Sequence, residues 1–143
     1  MDTNLALLYV VGSFNINEVQ GFTRFDRTNM FSEDDFEKVS KFVDYFKVKI
    51  TTPHVLTEAS NLTDNRQDLQ SALKGYIEIT QEIFLDSLEL SKKDTFLKFG
   101  LADTSVAYSA KDSYLIFTDD RPLYGFLVNS QVDAVNLDQV RSI

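Results

Sequence analysis

The run Met1-Asp2-Thr3-Asn4-Leu5-Ala6-Leu7-Leu8-Tyr9-Val10-Val11 opens the chain, and its reading decides what kind of core the rest can build. From about Asn4 to Val11 it predicts the first helix, although its unbroken apolarity also suits a buried strand. In either form the element belongs inside the fold. It is far too short to span a bilayer and no basic segment precedes it, so neither a membrane helix nor a signal peptide is expected. Asp2 stands directly ahead of this apolar run, where a solvated surface charge is a poor explanation.

Outward from that start, the polar, Gly-containing stretch from Ser13 to Asn29 predicts a loop. Ser32 with Asp35 resembles a helix-start cap, after which Phe36, Val39, Val43 and Phe46 recur at helical spacing. Val48 to Thr51 alternates like a short strand. Thr52 as N-cap and Pro53 at the first helical position then start another helix. Val55, Glu58, Ala59 and Leu62 share one face of it by their i, i+3, i+4, i+7 spacing, so an acid sits in an apolar stripe. A long helix is predicted from about Arg66 to Phe84, carried by Leu69, Leu73, Tyr76 and Thr80, and a shorter one from Lys92 to Phe99. Gly100 ends the latter. A helix from about Ala102 to Ala110 follows, with Asp103, Val106, Ala107 and Ala110 on one face and Asp103 pointed inward. Tyr114 to Phe117 predicts a buried strand, Thr118 to Pro122 its terminal loop, and Val132 to Leu137 the last strand. Helices between strands imply parallel pairing and an α/β sandwich, in which ligands bind beyond the carboxyl ends of the strands. No repeat, low-complexity tract or linker divides residues 1–143, so one domain is expected.

Composition agrees with a packed domain. The chain has 143 residues, 43% of them apolar, with 12 Phe to fill a core and no Cys, which excludes a disulfide framework and any thiolate metal site. The cytoplasm is the expected compartment. A net charge of −8 argues against a broad basic surface for nucleic acid, since Lys and Arg supply most non-specific phosphate affinity. A nuclease remains compatible with it, because bound metal would cancel several charges and local cations such as Arg24, Arg27, Lys92, Lys93 or Arg121 could serve a groove. The same acidity would suit a basic protein partner.

Four acids stand out by position: Asp2, Glu58, Asp103 and Asp120, the last following the strand-like run Tyr114-Leu115-Ile116-Phe117. Carboxylates brought together repel and are costly to desolvate, so their convergence implies a cation or a shared proton. A divalent-metal site is the natural reading.

These residues resemble the motifs of the PIN domain, a metal-dependent ribonuclease fold of toxin–antitoxin pairs and RNA-processing nucleases. Asp2-Thr3-Asn4 matches its opening Asp-Thr-Asn, with Asn4 in support. Thr52-Pro53 through Glu58 matches the strand-to-helix segment with its acid, Gly100-Leu101-Ala102-Asp103 the third acid, and Thr118-Asp119-Asp120 the closing Thr-x-Asp. The matches span almost the whole chain in order. The resemblance implies a three-layer α/β/α sandwich on a central parallel sheet, Mg²⁺ or Mn²⁺ held by the acids, and endonucleolytic hydrolysis of RNA. It also implies an antitoxin partner covering the acidic pocket, and a homodimer. The chain departs from the pattern at its start, where a PIN domain has an apolar strand before the first Asp and only Met1 stands here; upstream residues, if encoded, are expected to add that strand.

Hard cations prefer carboxylate and water oxygens, and two such ions about 3.5–4 Å apart could activate a water and stabilise both oxygens of an in-line displacement. Asp2 and Asp103 are assigned to the first metal, Glu58 to orienting that site or binding through water, and Asp120 to completing the site or holding a second ion, with the Thr118 hydroxyl orienting a carboxylate. The Thr-x-Asp register prefers Asp120 to its neighbour Asp119, which could also take part. Ordinary structural roles compete: a helix-dipole partner for Asp103, an N-cap for Asp2 or Thr3, turn residues for Asp119 and Asp120. His54, the single histidine, is read as exposed, and Phe31, Phe36, Phe42 and Phe46 as core or interface. Arg24 and Arg27 suit either RNA phosphates or a solvated loop. The competing function is a non-catalytic PIN-like interaction module.

Overall fold

The computed structural model describes residues 1–25, 31–109 and 114–143. Arg27 and Ala110 lie outside these. The opening run is helix α1 (Thr3–Phe14), and its side chains explain its place. Leu5, Ala6, Leu7, Leu8, Val10 and Val11 are all essentially inaccessible to solvent. A helix that is apolar all round must be covered all round. Two clusters do this. Leu5, Leu8 and Val11 pack with Phe31, with Val39 and Val43 of α2 (Glu33–Tyr45) and with Val140 of the last helix. Ala6 and Val10 pack on the opposite side with Val55, Ala59, Leu73, Val106 and Leu123.

Local chemistry starts the surrounding helices where expected. Ser32 and Asp35 form a reciprocal capping box, the Asp35 N–H donating to Ser32 Oγ at 3.1 Å and the Ser32 N–H to Asp35 Oδ2 at 2.8 Å. Helix α3 (Pro53–Leu62) begins with Pro53 after Thr52, whose Oγ1 accepts from the Val55 N–H at 3.3 Å. The Ser105 hydroxyl donates to the Ala102 carbonyl at 2.6 Å, so the Thr52 hydroxyl, 2.7 Å away, donates to Ser105. That bond joins the start of α3 to the long helix α6 (Asp94–Ser109). Gly100 breaks the regular geometry of α6 with φ 85° and ψ −179°, a conformation that a side chain would strain. The helix therefore consists of two segments, and Asp103 rides on the second.

Helix α4 (Gln67–Glu78) stops short of the predicted Phe84. The N–H groups of Ile79 and Thr80 bond back only three residues, to Tyr76 and Ile77, and the Thr80 hydroxyl also takes the Ile77 carbonyl. Gln81–Glu82 then forms a strand. Three further helices form where the sequence pattern predicts none: α5 (Ser87–Ser91), α7 (Arg121–Asn129) in place of part of the expected loop, and α8 (Leu137–Arg141). Each follows a short polar cap, Asp86, Asp120 and Asn136 respectively.

The expected three-layer sandwich on one central parallel sheet does not form. Among the described residues helices predominate, and the strands make two separate parallel pairs: β1 (Ile50–Thr51) with β2 (Gln81–Glu82), and β3 (Ile116–Thr118) with β4 (Ala134–Asn136). The strands are only two or three residues long, and the longest unbroken apolar stretch, Leu5 to Val11, forms α1 as expected, so no described strand joins the two pairs. None of the described helices is long and apolar enough to cross a membrane.

Close approach of α1 and α2 depends on Gly12, since a Cβ there would sit 2.1 Å from Phe36 Cδ2 and 2.4 Å from Cγ. Gly12→Ala is expected to lower stability by about 1–3 kcal/mol through overpacking, against a helix-propensity gain of about 1 kcal/mol. Urea unfolding followed by circular dichroism measures this, and an unchanged midpoint would mean that the Phe36 ring moves aside freely.

Candidate functional site

Asp2 acts as N-cap of α1, its Oδ1 accepting from the Leu5 N–H at 3.0 Å. Its Oδ2 accepts from the Thr118 hydroxyl and from the Asp119 N–H at 3.0 Å. The Asp2 N–H in turn donates to the Phe117 carbonyl at 3.1 Å. The start of α1 is thus fastened to the end of β3, and Asp2 is left 3% exposed. Thr118, itself fully buried, also accepts from the Asp120 N–H at 3.0 Å, which sets the turn after β3.

Beyond that turn the two adjacent acids diverge. Asp120 caps α7, with Oδ1 accepting from the Leu123 N–H at 2.7 Å. Asp119 points back to α1, where Asn4 Nδ2 donates to its Oδ2 at 2.8 Å. Glu58 from α3 and Asp103 from the second segment of α6 face the same space. Together with Asp2, Asp119 and Asp120 they line one cleft of about 640 Å³. All four acids singled out from sequence therefore reach one place, with Asp119 as a fifth. Glu58 is accessible to solvent there, not sealed in the apolar stripe that its spacing predicts; Val55 and Ala59 are the buried members of that helix.

Crowding shows in the proton affinities. Burial pushes the Asp103 carboxyl up to about 7, with Asp2, Asp120 and Glu58 adding repulsion. Burial likewise raises Asp119 well above the usual carboxylate range, and the Asp2 charge adds to it. Glu58 is raised by the same two causes, opposed by the nearby Thr3 hydroxyl. Thr3 Oγ1 is buried at the cleft wall without a well-formed hydrogen bond. These are signs of negative charge lacking its counter-charge.

Cations stand at the rim, but each has a carboxylate of its own. Arg24 pairs with Asp64 at 3.2 Å and Arg121 with Asp138 at 2.7 Å. Arg141 grips Asp35 through Nε at 2.7 Å and Nη2 at 3.0 Å, and reaches Asp138 through Nη1 at 3.1 Å. Sequence reading misses Arg141 and Asp138 as cleft residues; their i, i+3 spacing matters only because of α8, a helix that starts where the sequence pattern predicts the end of a strand. Arg27 falls outside the described residues. His54 lies apart from the cleft, its Nε2 2.8 Å from Ser87 Oγ.

The donor set is chemically suited to a hard divalent cation, being made of carboxylate, amide and hydroxyl oxygens. In the arrangement present, however, no group of three or more His, Cys, Asp or Glu side chains among the described residues is placed to hold a metal ion. Both Asp2 oxygens already accept bonds from the protein, and Asp120 is turned to its own helix. The acids share a cleft without closing into a ligand sphere. Comparison with protein-family models, curated proteins and solved structures finds no match to the chain.

The raised Asp103 pKa has a definite sign in stability. The folded state binds this proton more tightly than the unfolded chain, so its contribution is fully present below about pH 4 and is lost as pH rises toward 7. Each tenfold change in proton affinity corresponds to about 1.4 kcal/mol. Without added metal, Asp103→Asn is therefore expected to be more stable than the parent at pH 7.5 by roughly 1–3 kcal/mol, with the difference vanishing near pH 4. Denaturant melts across this range measure it; a difference independent of pH would contradict the assignment.

Proposed function

We propose that this protein is a divalent-metal-dependent endoribonuclease of PIN type, hydrolysing RNA phosphodiester bonds, with the role of the toxin in a toxin–antitoxin pair. The observation that carries the reading is the gathering of Asp2, Glu58, Asp103, Asp119 and Asp120, from four parts of the chain, around one cleft where Glu58, Asp103 and Asp119 hold their protons more tightly than ordinary carboxyls. The likeness of Asp2-Thr3-Asn4, Glu58, Asp103 and Thr118-Asp119-Asp120 to PIN motifs supports the same chemistry.

Asp2, Asp103 and Asp120 are the residues that would hold Mg²⁺ or Mn²⁺, with Asp119 beside them. Such an ion supplies charge neutralisation at the phosphodiester and makes water more acidic. The chain's own contribution is positional and protonic. Thr118 and the Asp119 N–H fix Asp2, and Asn4 fixes Asp119, so the cleft is set before substrate arrives. Glu58, open to solvent, would take the proton of the attacking water. The water oxygen bonds to phosphorus as the bond to the leaving oxygen breaks, and that oxygen takes a proton from solvent. Arg24 and Arg121, at the rim, would meet the flanking phosphates by exchanging their present carboxylate partners.

A non-catalytic PIN-like interaction module is the second reading, favoured by the absence of a closed ligand set among the described residues. Metal titration separates the two. Under the nuclease reading, Mn²⁺ or Mg²⁺ at 100 times Kd should stabilise the fold by about 2.7 kcal/mol over chelator, seen as a higher Tm. Saturating metal without a shift would favour the interaction module. Asp103→Asn should keep the fold yet slow cleavage of an RNA oligonucleotide by at least about 10–100-fold, and cleavage at the parent rate in Mg²⁺ would refute the central assignment.

A further inference from the structure

The first turn of α1 carries a hydroxyl that none of the contacts described above employs. Thr3 is 5% exposed, and its Oγ1 is buried at the cleft wall without a well-formed hydrogen bond. A threonine within a helix can settle its hydroxyl on the carbonyl one turn back, as Thr57 of α3 does on Pro53 at 2.7 Å. Thr3 is the first residue of α1, so no helical carbonyl stands behind it. The neighbouring Asp2 carboxylate is already taken, Oδ1 by the Leu5 N–H and Oδ2 by Thr118 and Asp119. Buried hydroxyls in folded proteins are nearly always bonded, so this one calls for an explanation.

Helix packing supplies it. Thr3, Ala6 and Val10 share one face of α1 by their i, i+3, i+7 spacing, and Val55, Glu58 and Ala59 share one face of α3 by i, i+3, i+4. Ala6 and Val10 pack in one apolar cluster with Val55 and Ala59, so these two faces oppose each other. Followed to the cleft, they bring Thr3 opposite Glu58, and both residues line it. None of the ion pairs at the rim includes Glu58. Asp2 faces it from α1 and Asp103 from α6, with Asp119 and Asp120 on the turn after β3. Burial and the Asp2 charge both favour its protonated form, and the Thr3 hydroxyl opposes them. Thr3 is thus a donor beside a carboxylate otherwise surrounded by negative charge.

We infer that Thr3 is a positioning residue for Glu58: its hydroxyl donates to the Glu58 carboxylate and holds it in the orientation from which it takes the proton of the attacking water. The role in cleavage rests on the nuclease reading, whereas the bond itself does not. A hydrogen bond to a carboxylate favours the charged form, which is the form a base needs. The proton of the water passes to Glu58 and the leaving oxygen is protonated by solvent, so Thr3 exchanges no proton itself.

Thr3→Val keeps the side chain's shape and removes the hydroxyl, while Thr3→Ser keeps the hydroxyl; circular dichroism checks that both fold. Carbon-detected NMR of the side-chain carboxyls, without metal or RNA and assigned with Glu58→Gln, should show the Glu58 midpoint about 0.5–1 pH unit higher in Thr3→Val and returned toward the parent in Thr3→Ser. With Mg²⁺ and an RNA oligonucleotide, Thr3→Val should lower kcat about 10-fold at unchanged KM, with the acid limb of the pH–rate profile moved to higher pH. In a Glu58→Gln background the same change should cost nothing further. An unmoved Glu58 midpoint would overturn the proposal, as would a Thr3→Ser variant that behaves like Thr3→Val, or an equal loss of kcat in both backgrounds. A parent that cleaves no RNA would refute the nuclease reading and with it the role in cleavage, while the metal-free titration still decides the bond.

Discussion

The carboxylate of Asp2 is the junction on which the molecule depends. Its Oδ1 satisfies an otherwise open N–H at the start of α1, while its Oδ2 takes the Thr118 hydroxyl and the Asp119 N–H. A buried charge survives only when its hydrogen-bonding capacity is met. Here the donors come from both ends of the chain, and satisfying the charge also fixes where α1 enters the core. The same bonds hold Asp119 and Asp120 at the rim of the cleft. Stability and site geometry therefore share one set of contacts.

Around that junction the fold balances unlike demands. α1 needs cover on every side, and two apolar clusters provide it. The acids need water or a cation, and they open onto a cleft at the helix's first turn. Asp103 records the tension: it is drawn toward the interior by a helix otherwise lined with Ala102, Val106 and Ala107, and it keeps its proton to near neutrality as a result. A bound cation would relieve this cost, whereas a protein without one must carry it or stay partly protonated. Neutralising the cleft and stabilising the fold are thus the same process.

Much of the helical framework is legible in the sequence because short-range chemistry sets it. Ser32, Thr52 and Pro53 announce their helices, and the spacing of Val39 and Val43, or of Val55 and Ala59, gives the buried faces. The four acids can be singled out because each interrupts or borders an apolar pattern. The sheet is not legible, because the strand-like patterns of Val48 to Thr51, Tyr114 to Phe117 and Val132 to Leu137 do not disclose that their strands pair in two separate sheets. An α/β sandwich gives too much weight to strands that prove only two or three residues long. The sequence register prefers Asp120 to Asp119, and only the turn shows that Asp119 faces Asn4 while Asp120 caps α7. The arginine pairs at the rim depend on distant partners, Asp64 for Arg24 and Asp35 for Arg141, which no local pattern discloses.

The bond between Asp2 and Thr118 joins residues 116 positions apart. During synthesis the first acid emerges from the ribosome long before the residues that receive it. Until then α1 has neither its β3 anchor nor the apolar cover supplied by Leu123, Leu127 and Leu137. A nascent chain therefore has no assembled cleft, however much of its helical framework has formed. The acidic centre is assembled only when the turn after β3 reaches the first turn of α1.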